Sequence, residues 1–159
     1  MLLLFATNCG YSDPYTPPGS NAIVEQPAAA PSQDAFSQGA NLPQSTLPDG
    51  LKYADIKVGS GTLAATGSNF SAYYTLYLAD GTKVDSNLDP GKPQLQGVLD
   101  NSGSLIPGFV EGVKGMRVGG KRRIFIPGNT SLGYGANPPP GKIPPNADLI
   151  FLVQLAAVK

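Results

Sequence analysis

The sequence contains no histidine and only one cysteine, Cys9. Without histidine the chain cannot use Ser-His-Asp or Cys-His catalysis, and it lacks the commonest ligand of zinc and non-haem iron. Because a single cysteine has no partner within the chain, an internal disulfide and a thiolate metal cluster are also excluded. The remaining chemistry must use carboxylates, tyrosine hydroxyls, backbone amides and the shape of an apolar site.

The chain also lacks any excess of charge, since 11 Lys and Arg residues balance 11 Asp and Glu residues over 159 positions. A protein without a net field is not drawn to nucleic acid or to an acidic membrane surface, so neither is expected as a partner. The charges are unevenly placed, because residues 1–51 contain no Lys or Arg. A chain of this length accommodates one domain with a core, together with a tail.

Residues 10–46 have the composition of a tether. Proline, alanine, serine and glutamine are scattered through this segment, and no period of a strand or a helix is sustained. Such a segment cannot bury enough apolar surface to offset the entropy lost on ordering. We therefore predict a disordered linker over residues 10–46 and a folded domain over residues 47–159.

The first nine residues resemble the end of a bacterial lipoprotein signal, in which a cysteine is lipidated and becomes the mature N-terminus. In "MLLLFATNC" an apolar run at residues 2–6 stops just before Cys9. The run lacks a preceding basic residue and is shorter than usual, and Asn8 stands where a small residue is normal. It is too short to span a bilayer. Lipidation at Cys9 predicts a lipid-anchored or periplasmic protein of the cell envelope; the alternative is a cytoplasmic protein with a frayed apolar tail.

Alternating apolar residues predict strands in the second part of the chain. "SNFSAYYTLYL" has the period of a half-buried strand, and Asp80-Gly81 then turns the chain into a second strand. "KRRIFI" alternates again, and residues 121–123 are interpreted as a solvated strand end. "DLIFLVQLAAV" is apolar on both sides, so it is predicted to be a central strand whose two faces both need cover.

Only one stretch, "SLIPGFVEGVKGM", has a helical pattern. Pro107 suits a first helical turn, because its missing amide would be unpaired there anyway. Phe109, Val110 and Val113 fall on one stripe, and Gly115 ends the helix. The predicted fold is therefore α+β, a twisted antiparallel sheet of about five strands wrapped around one short helix.

Four blocks resemble the FKBP-type peptidyl-prolyl cis/trans isomerases in order and spacing. They are "LPDGLKYADIKVGSG", "YYTLYLADGTKVDSN", "LIPGFVEGVKGMRVGGKRRIFIP" and "LGYGANPPPGKIPPNADLIFLVQL", and they cover the whole predicted domain. The resemblance implies an enzyme that accelerates rotation about X-Pro bonds and assists protein folding. This reaction needs no metal and no cofactor. The implied partners are proline-containing polypeptides and macrolide ligands, and a monomer is expected.

The resemblance also implies a prolyl pocket. Asp85 matches the family's pocket carboxylate, and the hydroxyl of Tyr134 and the backbone N–H of Ile106 match its hydrogen-bond donors. Asp85 and Tyr134 are the predicted catalytic residues, although Asp85 could instead be a turn residue. Phe109 corresponds to the aromatic floor beneath the proline ring. The remaining predicted substrate-binding residues correspond to the walls: Tyr74, Val84, Leu105, Ile143 and Phe151.

Several positions depart from the family pattern. Val84 stands where most members have phenylalanine, Gln94 and Gln96 stand where apolar or aromatic residues are usual, and Leu76 replaces a usual glycine. A weakened pocket leaves a second hypothesis open, a binding module or chaperone that holds prolyl segments with little turnover. A third hypothesis is a purely structural envelope lipoprotein.

The segment "YGANPPPGKIPPNADLIF" contains five prolines between Tyr134 and an apolar strand. Because that strand follows immediately, the segment is predicted to be anchored to the core. Its prolines limit the entropy lost when a substrate binds. We therefore predict a stiff loop beside the pocket, not a linker or a ligand for another domain.

Overall fold

Seven strands and one helix form the described part of this computed structural model, residues 34–100, 102, 105–128 and 131–159. The strands are all antiparallel to their neighbours. The predicted α+β architecture is confirmed, with seven strands where about five were expected. The elements are β1 (Ser45–Thr46), β2 (Lys52–Lys57), β3 (Asn69–Leu78), β4 (Lys83–Ser86), β5 (Leu95–Val98), α1 (Pro107–Val113), β6 (Lys121–Ile126) and β7 (Leu149–Val158).

The strand order is β1-β2-β6-β7-β3-β4, and β5 pairs with β3 further along the strand. Within this order β7 lies between β6 and β3, so Leu152 pairs with Arg123 on one side and with Thr75 on the other. The prediction that the last strand is central is therefore confirmed. In the described ranges, no helix is long and apolar enough to cross a membrane.

The strands without a sequence prediction are β1, β2 and β5. β1 has only two residues and lies in the segment assigned to the linker. β2 reads "KYADIK" and carries charged side chains on its exposed positions. β5 follows Pro93 and contains Gly97, and both of these residues are unfavourable signals for a strand.

Helix α1 begins and ends where the sequence predicted. Pro107 opens the helix after Ile106 in an extended conformation, and Gly115 follows it with a φ of 78°. The predicted stripe of Phe109, Val110 and Val113 is buried against the sheet. A Cβ atom added at Gly112 would lie 2.6 Å from Cγ2 of Ile124 on β6. The absence of a side chain at Gly112 therefore allows α1 to pack closely on β6. This close packing sets how deeply Phe109 is buried.

The interpretation of residues 121–123 as a solvated strand end is wrong. Arg122 and Arg123 are only 5% and 8% exposed. The Arg122 guanidinium binds both carboxylate oxygens of Asp55, at 2.7 and 3.1 Å. It also donates to the carbonyls of Gly112 and Lys114, at 3.0 and 3.1 Å. These carbonyls belong to the C-terminal turn of α1, where unpaired acceptors and the helix dipole favour a cation.

The linker prediction is wrong for residues 34–46, because this part of the chain packs on the domain. Residues 34–42, which we call the N-terminal strap, cover the outer face of the sheet. The Phe36 ring meets the Tyr77 ring edge-on at 5.4 Å, and the Arg123 guanidinium lies 5.0 Å from its centroid. The Tyr77 hydroxyl donates to the Asp34 carbonyl at 2.6 Å, and the Asp34 carboxylate pairs with Lys121.

The physical reason for the strap is the apolar outer side of β7. Ile150 and Leu152 lie there beside Tyr77, and Phe36, Ile56 and Phe125 pack against them. The sequence predicted that this side needs cover, but a lone aromatic residue in a proline- and alanine-rich segment did not indicate the source. The rest of the predicted linker, and Cys9, lie outside the described residues.

Replacing Phe36 with alanine should lower the free energy of unfolding by about 1–2 kcal/mol. The Phe36 ring is half-buried, and its removal exposes the apolar outer face of the sheet. Urea denaturation followed by circular dichroism measures this change. The matched control is Val58→Ala, since Val58 is 77% exposed and its truncation should cost less than about 0.5 kcal/mol. Equal stability of the two variants would show that the strap does not stabilise the domain.

Candidate functional site

A cavity of about 720 Å³ opens between the start of α1, strands β3 and β4, and the proline-rich loop. The structure places all nine predicted pocket residues around this one cavity. On strands β3, β4 and β7 these are Tyr74, Val84, Asp85 and Phe151. On α1 and the loops they are Leu105, Ile106, Phe109, Tyr134 and Ile143. Their roles in binding and catalysis remain predictions.

The base of the cavity is aromatic. Phe109 is 2% exposed, and its ring meets the Phe151 ring edge-on at 5.2 Å. The Tyr74 ring lies 6.1 Å from the Phe151 ring on the other side. The edge-to-face contact between Phe109 and Phe151 fixes the orientation of these two rings. The cavity therefore has a stiff apolar floor on which a small ring can lie.

Asp85 is the carboxylate of the cavity. One oxygen accepts a hydrogen bond from the Tyr74 hydroxyl, and the other pairs with the Lys92 ammonium at 2.7 Å. The bond from Lys92, followed by that from Tyr74, holds the pKa of Asp85 below its usual 3.8. The carboxylate is therefore ionised at neutral pH and held from two sides. The turn after Asp85 is supported by Ser86, whose Oγ accepts from the Leu88 N–H at 3.1 Å.

Asn87 holds β3 at Tyr74 and is a positioning residue that the sequence did not reveal. Its side-chain oxygen accepts from the Tyr74 N–H at 2.8 Å, and its side-chain nitrogen donates to the Ala72 carbonyl at 3.0 Å. Its own backbone N–H donates to the Tyr74 carbonyl at 3.2 Å. These bonds replace strand pairing where β4 has ended, so they fix the ring that supports Asp85.

Two donors remain for a ligand. In the described part of the chain, the Tyr134 hydroxyl and the Ile106 N–H have no hydrogen-bond acceptor, and both residues line the cavity. Burial, and then the charge of Asp85, raises the pKa of Tyr134 above its usual 10.0. Burial and the bond to Asp85 raise the pKa of Tyr74 as well. Both phenols are therefore neutral donors over the physiological range.

Gln94 and Gln96, which stand where the family usually has apolar or aromatic residues, do not line the main cavity. Leu95 lines the main cavity, while Gln94 and Gln96 line a second cavity of about 490 Å³. The residues of a strand alternate between its two faces, and β5 pairs Leu95 with Ala72. The expectation that glutamines weaken the pocket is therefore wrong, because β5 presents its leucine to the cavity. Val84 does line the cavity, and so does the buried Leu76.

The proline-rich loop is held at both ends and forms one rim. Near its start, the Gly135 carbonyl accepts from the Asn146 N–H at 2.8 Å. Near its end, the Asp148 carboxylate accepts from the Gly128 N–H at 2.7 Å. Pro139, Pro140 and Lys142 add to the cavity lining, and the sequence did not assign them. Nothing in their local pattern shows on which side of the loop they lie.

Comparison with known sequences gives a family for this architecture. The family model described as FKBP-type peptidyl-prolyl cis-trans isomerase matches residues 61–156. The FK506-binding protein of Neisseria meningitidis serogroup B is 42% identical over 109 residues, which cover 69% of this chain and 96% of the relative. The chloroplastic peptidyl-prolyl cis-trans isomerase FKBP16-3 of Arabidopsis thaliana is 40% identical over 117 residues, 72% of this chain and 52% of the relative.

Solved structures agree with this likeness. FkpA from Escherichia coli superposes with a TM-score of 0.65 at 35% identity, over 73% of this chain and 51% of that one. AtFKBP13 has a TM-score of 0.65 at 30% identity, over 74% of this chain and 99% of that one. The chain thus spans about half the length of FkpA and of the chloroplastic FKBP16-3. Its sequence blocks, fold and family match together show that it belongs to the FKBP-type peptidyl-prolyl cis-trans isomerase family.

Proposed function

We propose that this domain accelerates cis/trans rotation about X-Pro bonds in polypeptide substrates and so assists their folding. The observation that supports the proposal best is the cavity itself, in which an aromatic floor, a held carboxylate and two donors surround one apolar space. Rotation about an amide faces a barrier of about 18–20 kcal/mol, because resonance gives the C–N bond partial double-bond character. A catalyst must therefore bind the twisted amide more tightly than either planar form.

The floor and walls supply the first part of this preference. A proline ring seated on Phe109 is enclosed by Tyr74 and Phe151, and water is displaced from around the amide. The planar amide carries more separated charge than the twisted one, so an apolar site disfavours the planar ground state. The effect requires that the substrate displaces water from the cavity. No nucleophile and no proton transfer is needed.

The donors supply the second part. The Ile106 N–H and the Tyr134 hydroxyl can hold substrate carbonyls while the bond turns between them. Asp85 also lines the cavity, and its negative charge orients the Tyr74 hydroxyl. Each 1.36 kcal/mol gained by the transition state over the ground state raises the rate about tenfold.

A second candidate function is a binding module with weak turnover. The observation that favours it is Val84, whose short side chain lines the cavity. A shorter wall removes less apolar surface from water around the proline ring, so it weakens the grip that catalysis uses. A module of this kind would bind prolyl segments and release them without accelerating rotation.

We also propose ligands and a cellular location for this protein. Proline-containing polypeptides are the proposed partners, and a macrolide is the proposed inhibitor because the Neisseria relative is named an FK506-binding protein. The cell envelope is the proposed location, and the cytoplasm is the alternative. Lipidation of Cys9 and the monomeric state stay predictions from the sequence.

The purified domain should accelerate isomerisation of a prolyl tetrapeptide measured in a protease-free assay, and FK506 should inhibit it. Tyr134→Phe removes one donor, so kcat/KM should fall about two- to tenfold. Tyr73→Phe is the matched control, because Tyr73 is outside the cavity lining, and its activity should equal that of the wild type. A wild-type rate equal to the uncatalysed one, with peptide binding intact, would leave only the binding module.

The pH dependence of kcat/KM should be flat between about pH 5 and pH 9. Asp85 has a pKa below its usual 3.8, so it loses its charge only at more acidic pH. Tyr74 and Tyr134 have pKa values above their usual 10.0, so both keep their protons until more alkaline pH. NMR exchange spectroscopy of a prolyl peptide over this range measures the profile. A bell-shaped profile centred near neutrality would contradict this assignment of the polar groups.

Val84→Phe should increase the affinity for FK506 about three- to tenfold, because the added ring lengthens one cavity wall. Fluorescence titration of the purified variants gives the dissociation constants. Val98→Phe is the matched control, since Val98 is 37% exposed on β5 and lines the second cavity only. An unchanged affinity of Val84→Phe would count against the assignment of this wall.

A further inference from the structure

The charges around the main cavity do not cancel. Asp85 and Lys142 are the acidic and basic side chains in its lining. The charge of Asp85 is already balanced, since the Lys92 ammonium lies 2.7 Å from its Oδ1. Close by on the same edge, Lys83 and Asp89 pair at 2.8 Å and balance each other. Among the described residues that line the cavity, Lys142 is therefore the charged side chain without an ion-pair partner.

Lys142 is exposed and, within the ranges that the structure describes, has no carboxylate at ion-pair distance. Its place in the loop is constrained. Pro140 and Pro144 restrict the backbone two residues before and two residues after it. Because the loop is also held at Gly135 and Asp148, the lysine stem is attached to a stiff rim beside Ile143, and its charged end can turn towards a bound chain.

We propose that Lys142 selects substrates in which an acidic residue is adjacent to the proline. With the prolyl ring on Phe109, the residues on either side of it must leave the cavity across its rim, where Lys142 lies. A glutamate or aspartate there meets an unpaired ammonium, whereas the ion pair with Lys92 reduces the repulsion from Asp85. The proposal rests on the proposed function to the extent that the cavity must hold a prolyl segment.

The alternative is that Lys142 is a solvated surface charge that has no effect on substrate choice. The two hypotheses predict different preferences for an acidic peptide and a different dependence of that preference on salt. An exposed ion pair changes affinity by about two- to fivefold, and salt screens it. A preference that is absent at low salt, or that persists without the ammonium, does not come from Lys142.

The test uses two pairs of fluorescently labelled prolyl peptides. One pair has Glu or Gln immediately before the proline, and the other has Glu or Gln immediately after it. The dissociation constant and kcat/KM are measured for each peptide at low and high salt, and the Gln peptide is the reference for each variant. The variants are the wild type, Lys142→Met and Lys57→Met. Lys57 is the matched control, because it is exposed on β2 and lies outside the cavity lining.

In at least one pair, the wild type should bind and turn over the Glu peptide about two- to fivefold better than the Gln peptide. The ratio should fall to about one in Lys142→Met and at high salt, and it should be unchanged in Lys57→Met. A ratio of one in both pairs with active wild type overturns this inference and leaves the proposed function intact. A Glu preference in binding without any turnover supports the inference and overturns the isomerase proposal.

Discussion

Strand β7 is apolar on both of its faces, and much of the domain follows from the need to cover them. Leu149, Phe151, Val153 and Leu155 are buried on the inner side, and Ile150 and Leu152 on the outer side. Exposing either face to water would cost about 25 cal/mol for each Å² of apolar surface. Helix α1 covers the inner face and the N-terminal strap covers the outer one. The sheet is therefore the middle layer of the domain, although only one helix is present among the described residues.

The cavity forms where the inner cover is incomplete. Helix α1 has only seven residues, so it covers only the part of the sheet nearest β6. The covered part of the sheet ends at Phe109. Beyond that ring, Tyr74 and Phe151 face an open space that the proline-rich loop borders. The same side chains thus complete the core and form the floor of the site. A change that loosens α1, such as loss of the Arg122 contacts to its last carbonyls, would also move the floor.

Some of this organisation was predictable from the sequence. The alternating pattern of β3, the Asp80-Gly81 turn and the proline at the start of α1 are local signals, and each one acts within a few residues. The family blocks fixed the register, which brought the nine pocket positions together. Local rules could not predict the burial of Arg122 and Arg123, because a charged residue is normally exposed and only its partners make burial tolerable. They also could not predict the pairing of Lys92 with Asp85, which depends on the path of the intervening loop.

The strap and β5 show a different limit. A single phenylalanine in a proline- and alanine-rich segment carries no periodic signal, so the sequence predicts a tether where the strap covers the outer face. The side of β5 that faces the cavity depends on its register against β3, and a shift of one residue exchanges leucine for glutamine. Such features are settled by tertiary contacts, and they decide how apolar the site is.

The strap and the cavity lie on opposite faces of the sheet. The chain enters the described part of the fold at Asp34, which is bound to Lys121 and Tyr77 on the outer face of the sheet. The cavity opens on the other face of the same sheet, beyond Tyr74 and Phe151. The strap and the mouth of the cavity are therefore separated by the sheet, so a ligand can enter the cavity without displacing the strap.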